Sequence, residues 1–366
     1  MSQKLPTVWP LEPHTGAKHL ILRNYIGAWL SIISQTFNQA LCIDGFCGPG
    51  EYVGGEPGSP IIAASEAVQA IQHAPQVKPG FVLNMYFFDE DKDRIDNLKA
   101  KMTTVVKDTR VVIHEPKVST FEAALPQVLS DSRRFSSMVP TFVFIDPFGV
   151  KGCSLKAIVE ILSKPASEVF MLFDVDGVNR LLHDVNMMKE VFGEEGYAEA
   201  VKIAALEDPR IKYDKIRTLH RQVIQNTGKC RYYLPFRIQA TSRQGLYDLV
   251  FLTNNSKGFE KMKEAMWKAD STGAFHFVDA NYASMELNLN TWKDELWSLL
   301  MKKFKGNMYR GSEVEQYVME ETRFLSKHKK AVLEEHEQEG IAANMKIRVT
   351  NRKTGYPAQA RITFPE

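Results

Sequence analysis

Two short stretches hold the residues whose types and spacing could do chemistry. The first runs from Leu41 to Pro60. It reads as a buried strand ending in Asp44, a turn through Gly48-Pro49-Gly50, and a helix opened by Ser59-Pro60. Glycines let a backbone turn sharply and approach a ligand closely. Serine before proline is a strong helix start, which predicts a helix over Pro60 to about Ile71 with its positive end facing the turn. A strand, a glycine turn and a helix N-terminus make a nucleotide-shaped pocket. The second stretch is Ile145-Asp146-Pro147-Phe148-Gly149, at the end of another apolar strand. The Asp146 carboxylate and the Pro147 carbonyl can hold an amino group with its lone pair aimed at an electrophile. Phe148 can stack on a flat base. Each stretch taken alone also fits an ordinary strand-end turn punctuated by proline and glycine.

Other charged residues fall beside these stretches. Asp89 and Glu90 close the apolar run from Val82, and a carboxylate there could accept from both hydroxyls of a ribose or cap the next helix. Asp44 and Asp89 lie further apart than the common gap of about 20 residues in dinucleotide sites. Thr15 is a candidate cap for the helical pattern that runs to Phe37, which puts Lys18 and His19 in its first turn. Cations are unfavourable at that end of a helix dipole, so Lys18 either meets an anionic group or sits in a solvated turn.

Composition narrows the classes. The 366 residues are 44% hydrophobic and 25% charged, as in an ordinary globular protein with room for a large and a small domain. No apolar run is long enough to cross a membrane, and Met1 to Pro6 lacks a signal core, so a cytoplasmic, membrane-free protein is expected. Cys42, Cys47, Cys153 and Cys230 form no Cys-x-x-Cys pair, so neither a metal site nor a disulfide framework is expected.

The elements that must carry these residues follow from pattern. Apolar strands end at Asp44, Asp89, Asp146 and Asp174 and alternate with helices such as Lys92–Met102 and Leu155–Leu162, which argues for a parallel sheet covered on both faces. Tyr232 to Ala240 and Leu246 to Thr253 then read as a hairpin. Five βα units closed by a hairpin give an α/β, Rossmann-like seven-stranded sheet of the class I methyltransferase kind, and disfavour a nicotinamide-dependent dehydrogenase. A helical insertion at about 175–230 follows a strand C-terminus, either as a lid over the pocket or as a helical layer. The expected division is 1–285 for this domain and 286–366 for a tail.

The tail holds 13 Lys+Arg against 9 Asp+Glu in residues 301–366, and the first 300 residues carry a net −2. Its pattern is a helix over Thr291–Phe304, a second opened by a capping box at Ser312 and Glu315, a third from Lys327 to Glu339, and a hairpin of Met345–Thr350 with Ala358–Phe364. That is a winged-helix-like order. Lys327, Lys329, Lys330, Arg352 and Lys353 are its candidate phosphate contacts, and a protein-docking role is the competing reading.

Asp44-x-Phe46-x-Gly48-x-Gly50 resembles motif I of S-adenosylmethionine-dependent methyltransferases. Asp146-Pro147-Phe148-Gly149 resembles the motif of those that modify exocyclic amino groups of bases, transfer-RNA guanine enzymes included. With Glu12-Pro13-His14-Thr15-x-x-Lys18-His19, Gly58-Ser59-Pro60, the hairpin and the tail, nearly the whole chain resembles the three-Cys-motif partner protein (TcmP) family. Cys47 stands where an alanine is more usual. The resemblance implies S-adenosylmethionine held by Lys18, Asp44, Phe46, Gly48, Pro49, Gly50, Ser59, and Asp89 or Glu90, with Asp146, Pro147 and Phe148 at the acceptor. The likeness of the Asp146 motif implies DNA or RNA as substrate, while the family likeness itself brings no settled substrate and implies a protein partner bearing the three-cysteine motif. The rival expectation is a methyltransferase-like binding protein with an idle pocket.

Overall fold

A computed structural model describes residues 6–132, 138–239, 246–270, 275–278, 291–337, 347–351 and 354–366. The chain divides into two compact units, Met1–Ala269 with His276–Tyr282, and Asp270–Phe275 with Ala283–Glu366.

In the larger unit the strands are β1 (Gln39–Asp44), β2 (Val82–Asp89), β3 (Val111–Ile113), β4 (Lys117–Val118), β5 (Thr141–Ile145), β6 (Ser167–Asp174), β7 (Tyr232–Gln239), β8 (Leu246–Thr253) and β9 (His276–Val278). They form one sheet in the order β3-β2-β1-β5-β6-β8-β7-β9, with β4 paired to the end of β2. β3, β2, β1, β5 and β6 run parallel. β8 is antiparallel to both β6 and β7. The order turns outward in both directions from β1 and β5, so their carboxyl ends flank the crevice where α/β sheets place ligands. The antiparallel closing hairpin agrees with the sequence pattern; its turn, residues 241–245, lies outside the described residues.

The helices are α1 (Pro13–Thr36), α2 (Ser59–His73), α3 (Lys92–Met102), α4 (Phe121–Ser132), α5 (Leu155–Leu162), α6 (Val175–Arg180), α7 (Val185–Ala204), α8 (Pro209–Asn226) and α9 (Ser256–Ala269). The central strands are buried on both faces, which explains their unbroken apolar runs. Leu41, Ile43, Val143 and Ile145 pack with Phe121, Leu125, Ile158 and Phe192 in one core layer. Alternate residues turn the other way, where Phe142 meets Tyr25 and Trp29 of α1.

The insertion is mostly a layer. Met188, Phe192, Ile203 and Leu219 of α7 and α8 join that core. α6 reaches the carboxyl edge of the sheet, and α8 meets it there through Tyr213 Oη, which donates to Asp176 Oδ1 at 2.9 Å. α7 is broken at Gly193, whose φ of 74° suits glycine alone.

In the smaller unit α10 (Thr291–Phe304), β10 (Met308–Arg310), α11 (Gly311–Glu321), α12 (Ser326–Glu337), β11 (Arg348–Thr350) and β12 (Arg361–Thr363) enclose Leu296, Leu300, Val314, Leu333 and Ile362. The strands form an antiparallel sheet in the order β10-β12-β11. Three residues are too few for sequence periodicity, and β10 was not expected. The capping box sits two residues earlier than Ser312: the Glu313 carboxylate accepts from the Arg310 N–H at 2.6 Å.

Candidate functional site

The turn after β1 is built from the residues the sequence singled out. Gly48 and Gly50 have φ of 60° and 83°, the left-handed region open to glycine. The Gly58 N–H donates to Gly50 O at 2.8 Å, closing the loop between them. A Cβ on Gly58 would stand 3.0 Å from the Gly50 carbonyl carbon, so only glycine permits this approach. Asn97 Nδ2 donates to Pro49 O at 2.8 Å and pins the turn from α3.

Asp44 lies beneath this turn, 2% exposed. It accepts from the Phe46 N–H at 3.1 Å and from Ser59 Oγ at 2.7 Å. Ser59 therefore ties the helix start to the strand end, and Gly58 takes the N-cap position of α2. Burial pushes the Asp44 carboxyl up to about 7, with Asp146 and Asp89 adding to the rise and the two hydrogen bonds opposing it.

A cavity of about 630 Å³ opens above the turn. Phe46, Gly48, Pro49, Gly50 and Ser59 line one side, and Asp146, Pro147 and Phe148 line another. β1 and β5 are adjacent and parallel, which places the two motifs side by side. Phe148 is 55% exposed at the cavity wall. Lys18 forms an ion pair with Asp146 through Oδ2, and no described residue bonds Oδ1. The helix starts at Pro13, not at Thr15, and Lys18 and His19 are buried in its second turn. The anionic group that a cation there was expected to meet is thus a carboxylate of the protein itself. Burial, then Lys18 and Arg23, lowers His19 to about 3, so it is neutral beside Tyr52.

Three expected cavity residues are elsewhere. Asp44 lies below the cavity surface. Asp89 is also outside the lining: it accepts from the Gly48 N–H at 3.1 Å and the Asp91 N–H at 2.9 Å, and faces Arg94 at 3.7 Å. Its carboxylate shapes the turn. Glu90 is exposed and does not line the cavity. Sequence spacing could not reveal this, because it marks the strand end but not the direction of the side chain.

The cavity also contains residues that sequence reasoning passed over. Trp9 packs edge-on against Tyr52 and Phe148, and the Val53 N–H donates to Trp9 O at 3.0 Å. Arg94 stacks over both Trp9 and Phe148. Asp174, Asp176 and Arg180 come from the end of β6 and from α6, and Tyr247 comes from β8. The strand-end position of Asp174 was a usable signal. Trp9 and Tyr247 arrive by long-range packing and had none.

The predicted phosphate contacts of the smaller unit separate. Lys327 is exposed. Lys329 is 5% exposed and ion-paired to Glu315, because α12 packs that face against α11, so it is not on an open face as expected. Lys330 faces Glu334 at 3.8 Å. Arg352 and Lys353 lie outside the described residues. Burial raises all four cysteine thiols, as befits small packing residues. Among the described residues no cluster of metal-ligating side chains occurs, and no helix is long and apolar enough to cross a membrane.

No family model and no curated protein matches the chain. Similar solved structures include a protein described as a caffeoyl-CoA O-methyltransferase from Staphylococcus aureus, at 13% identity and TM-score 0.29 over 63% of this chain and 82% of that one. Another is described as an O-methyltransferase from Klebsiella pneumoniae, at 12% identity and TM-score 0.29 over 67% and 91%. A third, described as an exported protein from Bordetella parapertussis, has 9% identity and TM-score 0.30 over 63% and 66%. Scores this low carry no weight for function.

Proposed function

We propose that the chain is an S-adenosylmethionine-dependent methyltransferase acting on an exocyclic amino group of a nucleic-acid base. One observation carries the reading. The glycine turn at the end of β1 and Asp146-Pro147-Phe148 at the end of β5 share one cavity at the switch point of the sheet. Two features of the turn support the cofactor reading: Gly48 adds no side-chain bulk at the cavity wall, and the missing Cβ of Gly50 lets the turn lie closely against Leu98.

S-adenosylmethionine, when bound, supplies an electrophilic methyl group. The exposed ring of Phe148 offers a base its stacking surface. Asp146 Oδ1 accepts an N–H of the amino group and receives the proton released as nitrogen forms its new bond to carbon. Lys18 holds Oδ2 and fixes the carboxylate plane. The smaller unit, with its helix-strand-helix-helix-strand-strand order, is read as a winged-helix-like module that helps to hold the polymer. The likeness to the three-Cys-motif partner family adds a protein partner to this reading.

The test combines calorimetry with methyl transfer. Wild type should bind S-adenosylmethionine and label a cellular nucleic acid. Asp146→Asn should lower transfer about a hundredfold or more while cofactor affinity stays within a factor of a few. Parallel loss of both would make Asp146 structural. The idle-pocket reading draws on the Lys18–Asp146 pair, and wild-type protein that binds cofactor yet methylates no nucleic acid would favour it.

A further inference from the structure

The outer face of the small sheet is cationic by register. Arg310 of β10 stands directly opposite Arg361 of β12. Thr350 of β11 stands opposite Arg361 from the other side, and Arg348 opposite Thr363. Side chains alternate along a strand, so Arg310, Arg361 and Arg348 share one face with Met308, Thr350 and Thr363. The alternate residues Tyr309, Ile362 and Val349 face inward, Ile362 at 0% exposure. All three arginines are exposed. No acidic residue occurs in these three strands.

The three guanidinium groups differ from other arginines of the chain. Arg110, Arg217 and Arg323 each hold a carboxylate. Among the described residues Arg310, Arg348 and Arg361 have no carboxylate partner. Opposed residues in an antiparallel pair are about 5 Å apart, and like charges placed so are destabilising. The fold thus carries a repulsion that an anion bound across the strands would relieve. Arg348 is displaced from that pair by about 7 Å along the strand direction, the step of two residues. A row of guanidinium forks flanked by threonine hydroxyls matches a chain of phosphates better than an isolated anion.

We infer that this sheet face binds the phosphodiester backbone of a nucleic-acid strand through Arg310, Arg348 and Arg361. The inference rests on the nucleic-acid reading above for the identity of the polymer. It moves the contact from the lysines of α12, where Lys329 is already held by Glu315, to the sheet.

The experiment uses the full chain, labelled 20-nucleotide single strands and duplexes of two sequences, and anisotropy titrations over a salt series. Replacing Arg310, Arg348 and Arg361 together by glutamine should weaken binding equally for both sequences. The slope of log affinity against log salt should flatten by about 2 to 3, from three lost contacts. A charge-matched control, Lys99→Gln with Lys202→Gln and Lys257→Gln, should keep the wild-type slope. The arginine variant should be no less stable to heat, since a like-charge pair is removed, and Arg361→Gln alone should already flatten the slope by about one. Superimposable curves for variant and wild type would overturn the inference. So would equal wild-type affinity for polyglutamate or for phosphatidylserine vesicles, which would assign the face to an acidic protein or a membrane surface. S-adenosylmethionine affinity is read in parallel. A wild type that binds no cofactor but loses its salt slope in the variant refutes the active-site reading and leaves the sheet face standing.

Discussion

Asp44 closes β1 at the carboxyl edge of the large sheet, and Glu168 opens the interior of β6 at the amino edge. Both are buried, and burial pushes each up to about 7. Their surroundings differ. Tyr25 Oη donates to one oxygen of Glu168 and Thr253 Oγ1 to the other at 3.0 Å, which joins α1 and β8 to β6. The space beside it is about 80 Å³, against about 630 Å³ above the glycine turn. Asp44 instead bonds Ser59 Oγ and the Phe46 N–H, both part of the segment that lines the large cavity. The same electrostatic cost therefore accompanies the locking of helices to a sheet at one edge and the shaping of a cavity floor at the other. A raised carboxyl does not by itself mark a site; what its partners border does.

Amide substitutions should separate the two with the largest effect. Each carboxyl has a folded value near 7, above its unfolded value near 4. Between those values the native state binds the extra proton. The contribution of each group to stability is thus greatest below about pH 4, falls by up to about 1.4 kcal/mol per pH unit, and levels off above about pH 7. Asp44→Asn and Glu168→Gln should both raise the melting temperature at pH 8 and flatten its fall across that window. Only Asp44→Asn should weaken S-adenosylmethionine binding in calorimetry. Equal weakening by Glu168→Gln would dissolve the contrast.

Truncating Glu168 to alanine has a smaller effect. It orphans Tyr25 Oη and Thr253 Oγ1, for a loss of about 1–3 kcal/mol in chemical denaturation. Cofactor affinity should not change. Gly50→Ala sharpens the other side. The backbone at φ 83° and a Cβ 2.7 Å from Leu98 Cδ1 should cost about 1–2 kcal/mol, and here cofactor affinity should fall as well. A Gly50→Ala protein that is destabilised but binds normally would detach the turn from the cofactor.

Much of this arrangement was legible in the sequence, for local reasons. Apolar patterning marked β5 and α5 at their observed bounds, Gly48 and Gly50 marked a turn whose positive φ favours glycine, and Pro60 marked the helix start. The closing hairpin was legible because its two apolar runs are separated by a short polar stretch. What escaped depends on distant partners. Lys18 meets Asp146 across 128 residues, and Asp89 turns back to the Gly48 N–H across 41. The start of α1 was misplaced because Pro13 sets it without a side-chain cap. Lys329 was expected in the open because helical spacing alone does not tell which face meets α11.

The cavity wall begins at Pro6 and is completed only by Tyr247. During synthesis the glycine turn and the Asp146 motif emerge long before β8 can pair between β6 and β7. A half-made chain thus carries both motifs but no finished pocket. Ligand present at a hundredfold excess over its dissociation constant would add about 2.7 kcal/mol to the finished unit and nothing to its precursors. Loading then acts as a ratchet on maturation, favouring only chains whose last strand has reached its place.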